Sequence, residues 1–273
     1  MYEKDYHTKL GDWLHAENFE KLENFKLEKE VARFRELLRE TILCGFNDVS
    51  QRELDAKHSV SCLYGTAKMH KPESPLRPIS QGYASLTNKA EKFLNKMLSP
   101  LSNLWEYLIN DPKQLKERFL PITEIFDPSE HTVVSFDATK LFTSVDIEEV
   151  VDFALKQIYV RPRTFFNDKN KKGNYLPVPA RFKFKKFLMG LLTDFRIVKT
   201  QIGTYKQVKG LAMGSPLSSL LSNLYVNMME QRIVKNFEKS GVILCWLRFA
   251  DDVLCVCKKS SVNIILTENF NNI

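Results

Sequence analysis

The sequence has no apolar run approaching the roughly 18 residues that a bilayer-spanning helix requires, so no membrane segment is expected. Its N-terminus, "MYEKDYHTKLGDWLH", is too charged for a secretory signal peptide. Cysteine is scarce and odd in number: Cys44, Cys62, Cys245, Cys255 and Cys257 lack the spacing of a disulfide framework, which points to a reducing, intracellular setting. Cys255 and Cys257 alternate with Leu254 and Val256, as strand residues sharing one face do. A zinc site would need partner ligands that are not nearby in the sequence. Internal repeats and low-complexity tracts are missing too, so each segment is read by itself.

What is present describes a globular chain. Its 273 residues are 44% hydrophobic and 27% charged, enough to bury a core as one large domain or two subdomains. Forty Lys+Arg against 33 Asp+Glu leave a net charge of +7, which suits a polyanionic partner without identifying one.

From about Asn18 to Leu43 the pattern is charged and helical, with Phe25, Val31, Phe34, Leu37 and Leu38 loosely along one face. "LYGTAKMHKPESPLRPIS" then reads as extended segments joined by turns, because each residue before a proline is pushed out of helical geometry. "TNKAEKFLNKML" opens on Thr87 or Asn88 as a cap and continues as a helix with Phe93, Leu94, Met97 and Leu98. "DIEEVVDFALKQI" places Asp146 and Glu149 in capping-box positions ahead of Ile147, Val150, Val151, Ala154, Leu155 and Ile158, an amphipathic helix. Residues 161–179 read as an exposed basic insertion. In "KFKKFLMGLLTDF" the apolar residues recur at helical spacing, and the interleaved lysines read first as its solvated side and second as nucleic-acid contacts. In "GLAMGSPLSSLLSNLYVNMME", Ser215 is a good N-cap and Pro216 a good first helical residue, with Leu217, Leu220, Leu221, Leu224 and Met228 as a core face. Gly210 and Gly214 ahead of it permit unusual backbone angles and close approach.

"GVILCWLRF" and "VLCVC" are β-prone runs separated by "ADD", a hairpin whose tip carries Asp251 and Asp252. An Asp pair at a hairpin tip is commonly structural, because its side chains bond nearby amides. Asp137 changes that balance. It ends the short β-rich run "HTVVSFD" far upstream, and a neighbouring strand of the same sheet would bring it beside Asp251. Carboxylates converging there repel unless cations lie between them. Such oxygen donors suit Mg²⁺ and in-line phosphoryl transfer between two metal ions.

In this order, "SFDATKLFTSV", "GLAMGSPLSSLLSNLYVNMME" and "RFADDVLCV" resemble motifs A, B and C of reverse transcriptases. "LYGTAKMHKP", "SPLRPIS" and "SLTNKAEKFLNKMLSPL" resemble the finger motifs that precede them. The details are similar to the Penelope-like retroelements, whose reverse transcriptase is related to that of telomerase. The resemblance runs from about Leu63 to Val256.

It implies an α+β fold of right-hand polymerase fingers and palm, with an antiparallel palm sheet packed on helices. Along the chain, 1–60 would be an N-terminal helical segment, 61–130 the finger motifs, and 131–273 the palm with the basic insertion near 161–179. The resemblance assigns Asp137 and Asp251 to two catalytic Mg²⁺ or Mn²⁺ ions, with Asp252 as the adjacent acid. Phe142, five residues after Asp137, stands where the family carries the gate against a ribonucleotide 2′-hydroxyl; it also reads as a core aromatic. Arg77 and, more weakly, Lys68 match groups that contact the incoming triphosphate, whose charge must be neutralised. Gln207 and the loop through Gly214 and Ser215 correspond to the part that positions nucleotide and template. The partners implied are an RNA template, a DNA primer and deoxynucleoside triphosphates; no membrane is implied, the compartment is expected to be nuclear, and the oligomeric state stays open.

Thr66 and Ala67 stand where relatives commonly have Leu-Pro, and "TSVD" replaces a usual Asn and Pro after the gate; neither departure touches a metal ligand. The sequence stops shortly after motif C, so the expectation is a core lacking thumb and nuclease, with little processive synthesis by itself. Two classes remain open at this stage, a polymerase core and a noncatalytic remnant that binds nucleic acid or protein. A viral RNA-dependent RNA polymerase is a third, disfavoured by Phe142 and by Phe-Ala before the aspartate doublet.

Overall fold

A computed structural model describes residues 3–41, 58–69, 74–82, 85–137, 141–169 and 172–269. Cys44, residues 70–73, where the sequence leads one to expect a turn, and residues 138–140 lie outside them. In chain order the elements are α1 (Glu3–Ala16), β1 (Phe19–Lys21), α2 (Leu27–Thr41), β2 (Ser61–Ala67), β3 (Leu76–Gln81), α3 (Asn88–Leu98), α4 (Pro112–Thr123), β4 (His131–Asp137) and α5 (Leu141–Ser144). They continue with α6 (Ile147–Val160), α7 (Pro162–Phe165), α8 (Arg181–Met189), β5 (Ile197–Thr200), β6 (Gly203–Gln207), α9 (Ser218–Lys239), β7 (Ile243–Phe249), β8 (Asp252–Lys258) and α10 (Val262–Asn269). The architecture is mixed α+β.

Two compact units are each assembled from two chain segments, Met1–Leu101 with Val145–Leu221, and Ser102–Ser144 with Ser222–Ile273.

The first unit holds a five-stranded sheet ordered β1-β6-β5-β2-β3. β2 and β5 run parallel and the other neighbours antiparallel. α1 lies against this sheet, burying Leu10 and Leu14 with Leu63, Leu76 and Val198. The helical pattern expected from about Asn18 to Leu43 is met only from Leu27 to Thr41 among the described residues, and 42–43 lie outside them. Phe19–Lys21 instead pairs with β6. Asn18 and Asn24 bracket that strand at φ 57° and 55°, a left-handed conformation that asparagine tolerates better than most residues and that interrupts a helix.

Among the helices of this unit, α6 follows its sequence pattern closely. The Asp146 side chain accepts the Glu149 amide at 2.9 Å, and all six apolar positions expected on its inner face are buried. The apolar face of α8 and the π-turn after it, from Phe184 to Phe195, is buried as well. Its lysines are engaged with acids, Lys185 with Asp152 at 2.7 Å and Lys186 with Glu40 at 2.7 Å, which supports the solvated-side reading. The 161–179 segment is less exposed than expected. Phe165 and Phe166 are buried, and the Phe166 ring meets Phe184 edge-on at 5.3 Å.

The second unit holds a three-stranded antiparallel sheet ordered β4-β8-β7. Strand alternation divides its side chains. Val134, Phe136, Trp246, Val253, Cys255 and Cys257 pack with Val234 and Phe237 of α9. Cys245, Leu247 and Val256 pack with Ile109 and with Leu115, Phe119 and Ile122 of α4. Cys255 and Cys257 therefore do share a face, and burial pushes both thiols up from their ordinary pKa. They are core residues and not reactive thiolates.

Candidate active site

The β4–β8 ladder runs from His131 opposite Lys258 to Asp137 opposite Asp252. Directly opposed residues point to the same face with Cβ atoms roughly 4.5–5.5 Å apart, so the pairing sets the Asp137 and Asp252 side chains next to one another. On the other side of β8, Phe249 is opposite Asp252. That closes the β7–β8 hairpin through Ala250 and Asp251, as the sequence implies. Asp251 thus occupies the turn, and the strand partner of Asp137 is its neighbour Asp252. All three aspartates are exposed. Among the described residues no group of three or more His, Cys, Asp or Glu is close enough to hold a metal ion.

Ala250 in this turn has φ 54°, a left-handed conformation that costs a residue with a Cβ about 1–2 kcal/mol. Arg248, almost fully buried, braces the strained turn. Its Nη1 donates to the Ala250 carbonyl at 3.0 Å and to Asn223 Oδ1 at 2.6 Å. Its Nε and Nη2 donate to the two carboxylate oxygens of Glu230 at 2.8 and 3.3 Å. Trp246 Nε1 adds a third donor to Glu230, at 3.0 Å. Burial pushes the Glu230 carboxyl above its ordinary pKa, against the pull of Arg248 and Trp246.

In the first unit, the loop from 207 to 218 is held from inside. Gln207 is buried, and its amide Nε2 donates to the carbonyls of Lys209 at 2.7 Å and Leu211 at 3.1 Å. Arg196, also buried, donates to the carbonyls of Val208, Lys209 and Gly210. Burial lowers its guanidinium pKa to about 10, with Asp194 opposing. Gly214 sits at φ +81°, and a Cβ there would meet the Ser80 carbonyl oxygen at 2.5 Å. Only glycine fits this close approach to β3.

Ser215 makes the N-cap bond expected of it, to the second residue after it, but its hydroxyl is shared with a distant acid and the regular helix starts later. Its Oγ accepts the Leu217 amide at 3.2 Å and donates to the Glu91 carboxylate, while α9 begins at Ser218. The side chain is drawn into a turn by a buried acid that lies far away in sequence. Elsewhere in this unit, Arg77 is exposed on β3 opposite Thr66 of β2. Lys68 is half-buried just beyond β2, its amide bonded to the Pro75 carbonyl at 2.9 Å. Phe142 is half-buried in α5 of the second unit.

The family model for reverse transcriptase (RNA-dependent DNA polymerase) matches residues 69–272. The chain belongs to the reverse transcriptase family. Among solved structures, the fold resembles telomerase of Candida tropicalis with a TWJ fragment of telomeric RNA, at TM-score 0.55 and 12% identity over 82% of this chain and 41% of that one. Telomerase of Candida albicans, also with a TWJ fragment, gives 0.53 and 12% over 97% and 43%. An RNA polymerase complex inside a dsRNA virus gives 0.51 and 11% over 90% and 21%. At such identities the likeness is one of fold alone, and this chain spans less than half the length of those chains. No curated protein matches it. Among the described residues no helix is long and apolar enough to cross a membrane.

Four residues of this reverse transcriptase domain escape a motif-based reading: Arg248, Glu230, Arg196 and Glu91. Arg248 lies within "RFADDVLCV", yet its role depends on a partner on another element. Glu91, on α3, is buried, and its pKa is raised by burial against hydrogen bonds from Ser215 and Thr87. A carboxyl with a raised folded-state pKa adds stability below its unfolded pKa and loses it as pH rises through the folded one. Glu91→Gln keeps an acceptor for Ser215 and removes the titration. Relative to wild type it is expected to gain stability between about pH 5 and about pH 8, measured by urea unfolding at both. A variant that instead loses ground at the higher pH would show that Glu91 is ionised and favourable in the fold.

Proposed function

We propose that this chain is the nucleotide-adding core of an RNA-directed DNA polymerase, which extends a DNA primer along an RNA template using deoxynucleoside triphosphates. The observation that carries the reading is the register that sets Asp137 opposite Asp252, beside turn-borne Asp251, in a chain of the reverse transcriptase family. These exposed oxygen donors fit Mg²⁺ or Mn²⁺, because Mg²⁺ is commonly bound through one or two carboxylates plus water and substrate phosphates. Asp137 and Asp251 would hold two ions, with Asp252 adjacent. When bound, such ions supply charge neutralisation at the attacking oxygen and the departing pyrophosphate.

The remaining work falls to the chain's own side chains. Arg77, exposed on its strand, neutralises triphosphate charge, with Lys68 assisting. Phe142 excludes a 2′-hydroxyl. Gly214 presents bare backbone to the nucleotide and template, while Gln207 and Ser215 act by holding the loop in shape. The Penelope-like retroelement assignment and a nuclear location are part of this reading; the former is supported by "LYGTAKMHKP", "SPLRPIS" and "GLAMGSPLS".

The second reading, a remnant that binds nucleic acid without catalysis, is favoured by the lack of a three-ligand group among the described residues. Mn²⁺ titration together with primer extension on primed RNA separates the two. Wild type is expected to bind Mn²⁺ and add nucleotides, and Asp251→Asn to lose both. Equal Mn²⁺ binding by the two proteins would reject the metal assignment. Binding of primed RNA without Mn²⁺ binding or extension would establish the remnant.

A further inference from the structure

Arg248 is fixed on every side. Its amide donates to the Tyr107 carbonyl at 2.9 Å, and its carbonyl accepts the Ile109 amide at 2.8 Å. Its guanidinium spans three attachments, the Glu230 carboxylate and Asn223 on α9 and the Ala250 carbonyl in the turn. Asn223 and Glu230 are seven residues apart, two helical turns on one face of α9. The Arg248 side chain is 2% exposed, and that of Glu230 is 0% exposed.

Burying such a pair is an expensive way to fill space, since well-packed apolar residues of similar volume often serve stability as well or better. What an apolar residue cannot do is bond the Ala250 carbonyl and hold a left-handed turn against a helix. That turn carries Asp251, and the first strand residue after it is Asp252.

We propose that Arg248 is a positioning residue, whose guanidinium, anchored on Glu230 and Asn223, locks the Ala250–Asp251 turn so that the aspartates are preset for divalent cations. The inference rests on the polymerase reading of the site. Supporting groups one step removed from a metal's ligands typically change its affinity by about 10–100-fold. Lysine at this position keeps the charge but lacks the planar fork, and it cannot reach Glu230, Asn223 and Ala250 together.

The test uses the full chain with Mn²⁺ as probe, free and bound ion being distinguished by electron paramagnetic resonance, alongside amide hydrogen exchange at Ala250, Asp251 and Asp252. Arg248→Lys is expected to remain folded, to speed exchange at these amides relative to the rest of β7 and β8, and to weaken Mn²⁺ binding about 10-fold or more. Val234→Ala is the control. Val234 lies in the same core with no bond to the turn, so its variant should lose global stability while keeping Mn²⁺ affinity and local exchange.

Wild-type exchange and affinity in Arg248→Lys would overturn the proposal, and so would equal losses in Val234→Ala. If Arg248→Lys fails to fold, Asn223→Ala replaces it, because it removes one acceptor of Nη1 without stranding a charge. The same local changes, smaller, are expected, and their absence refutes the role. If wild type binds no Mn²⁺, the polymerase reading of the site fails, and with it the cation role; exchange then decides the turn-locking alone.

Discussion

Arg248→Met is expected to cost roughly 3–5 kcal/mol of folding stability, because it leaves the Glu230 carboxylate buried without its charge partner. Methionine fills much of the volume, so the loss comes from electrostatics and missing hydrogen bonds more than from a cavity. Glu230 is already biased toward the neutral form by burial, and without Arg248 that bias grows. Its folded-state pKa then lies further above the unfolded one, so the variant's deficit should widen as pH rises and shrink in mild acid. Adding Glu230→Gln removes the stranded charge and still offers an oxygen to Trp246 Nε1. The double variant should recover about 2 kcal/mol of the loss, with Asn223 and the Ala250 carbonyl still short of a donor. Urea unfolding of the single and double variants at two pH values measures all of this. A single variant within about 1 kcal/mol of wild type would show that the pair contributes little.

Gly214→Ala is expected to be nearly as damaging, and for a steric reason. Its φ of +81° is one penalty, and a Cβ at 2.5 Å from the Ser80 carbonyl oxygen is another. Gly241 offers a matched comparison, since its φ is +66° and a Cβ there meets nothing within 4 Å. Gly241→Ala should therefore cost only the backbone strain of about 1–2 kcal/mol. Gly214→Ala should cost at least about 1–3 kcal/mol beyond that, the usual range for forcing extra atoms into a packed site, or shift the loop off β3. Calorimetric unfolding of both variants reads the stability difference. A shifted loop would instead appear as faster amide exchange at 210–217 with a smaller stability loss. Equal stability losses and unchanged exchange would show that the loop is not seated on Ser80 in solution.

The order of the motifs was enough to place this chain among the reverse transcriptases, because each motif carries its own local chemistry. Helical spacing located the inner faces of α6 and α8, whose apolar residues are buried where expected. Strand alternation located β4, the β7–β8 hairpin and the shared face of Cys255 and Cys257. These patterns are legible because each depends on neighbours within a few residues.

Only the tertiary structure decided the strand at Phe19–Lys21, which exists through β6. It also decided that Asp137 pairs with Asp252 while Asp251 takes the turn, since a register is a choice between distant segments that hydrophobic alternation narrows without selecting one residue. The partners of Arg248, Ser215 and Gln207 belong to the same class. A buried charge or hydroxyl announces in the sequence that it needs a partner, but the identity of Glu230 or Glu91 as that partner is set by which elements pack together.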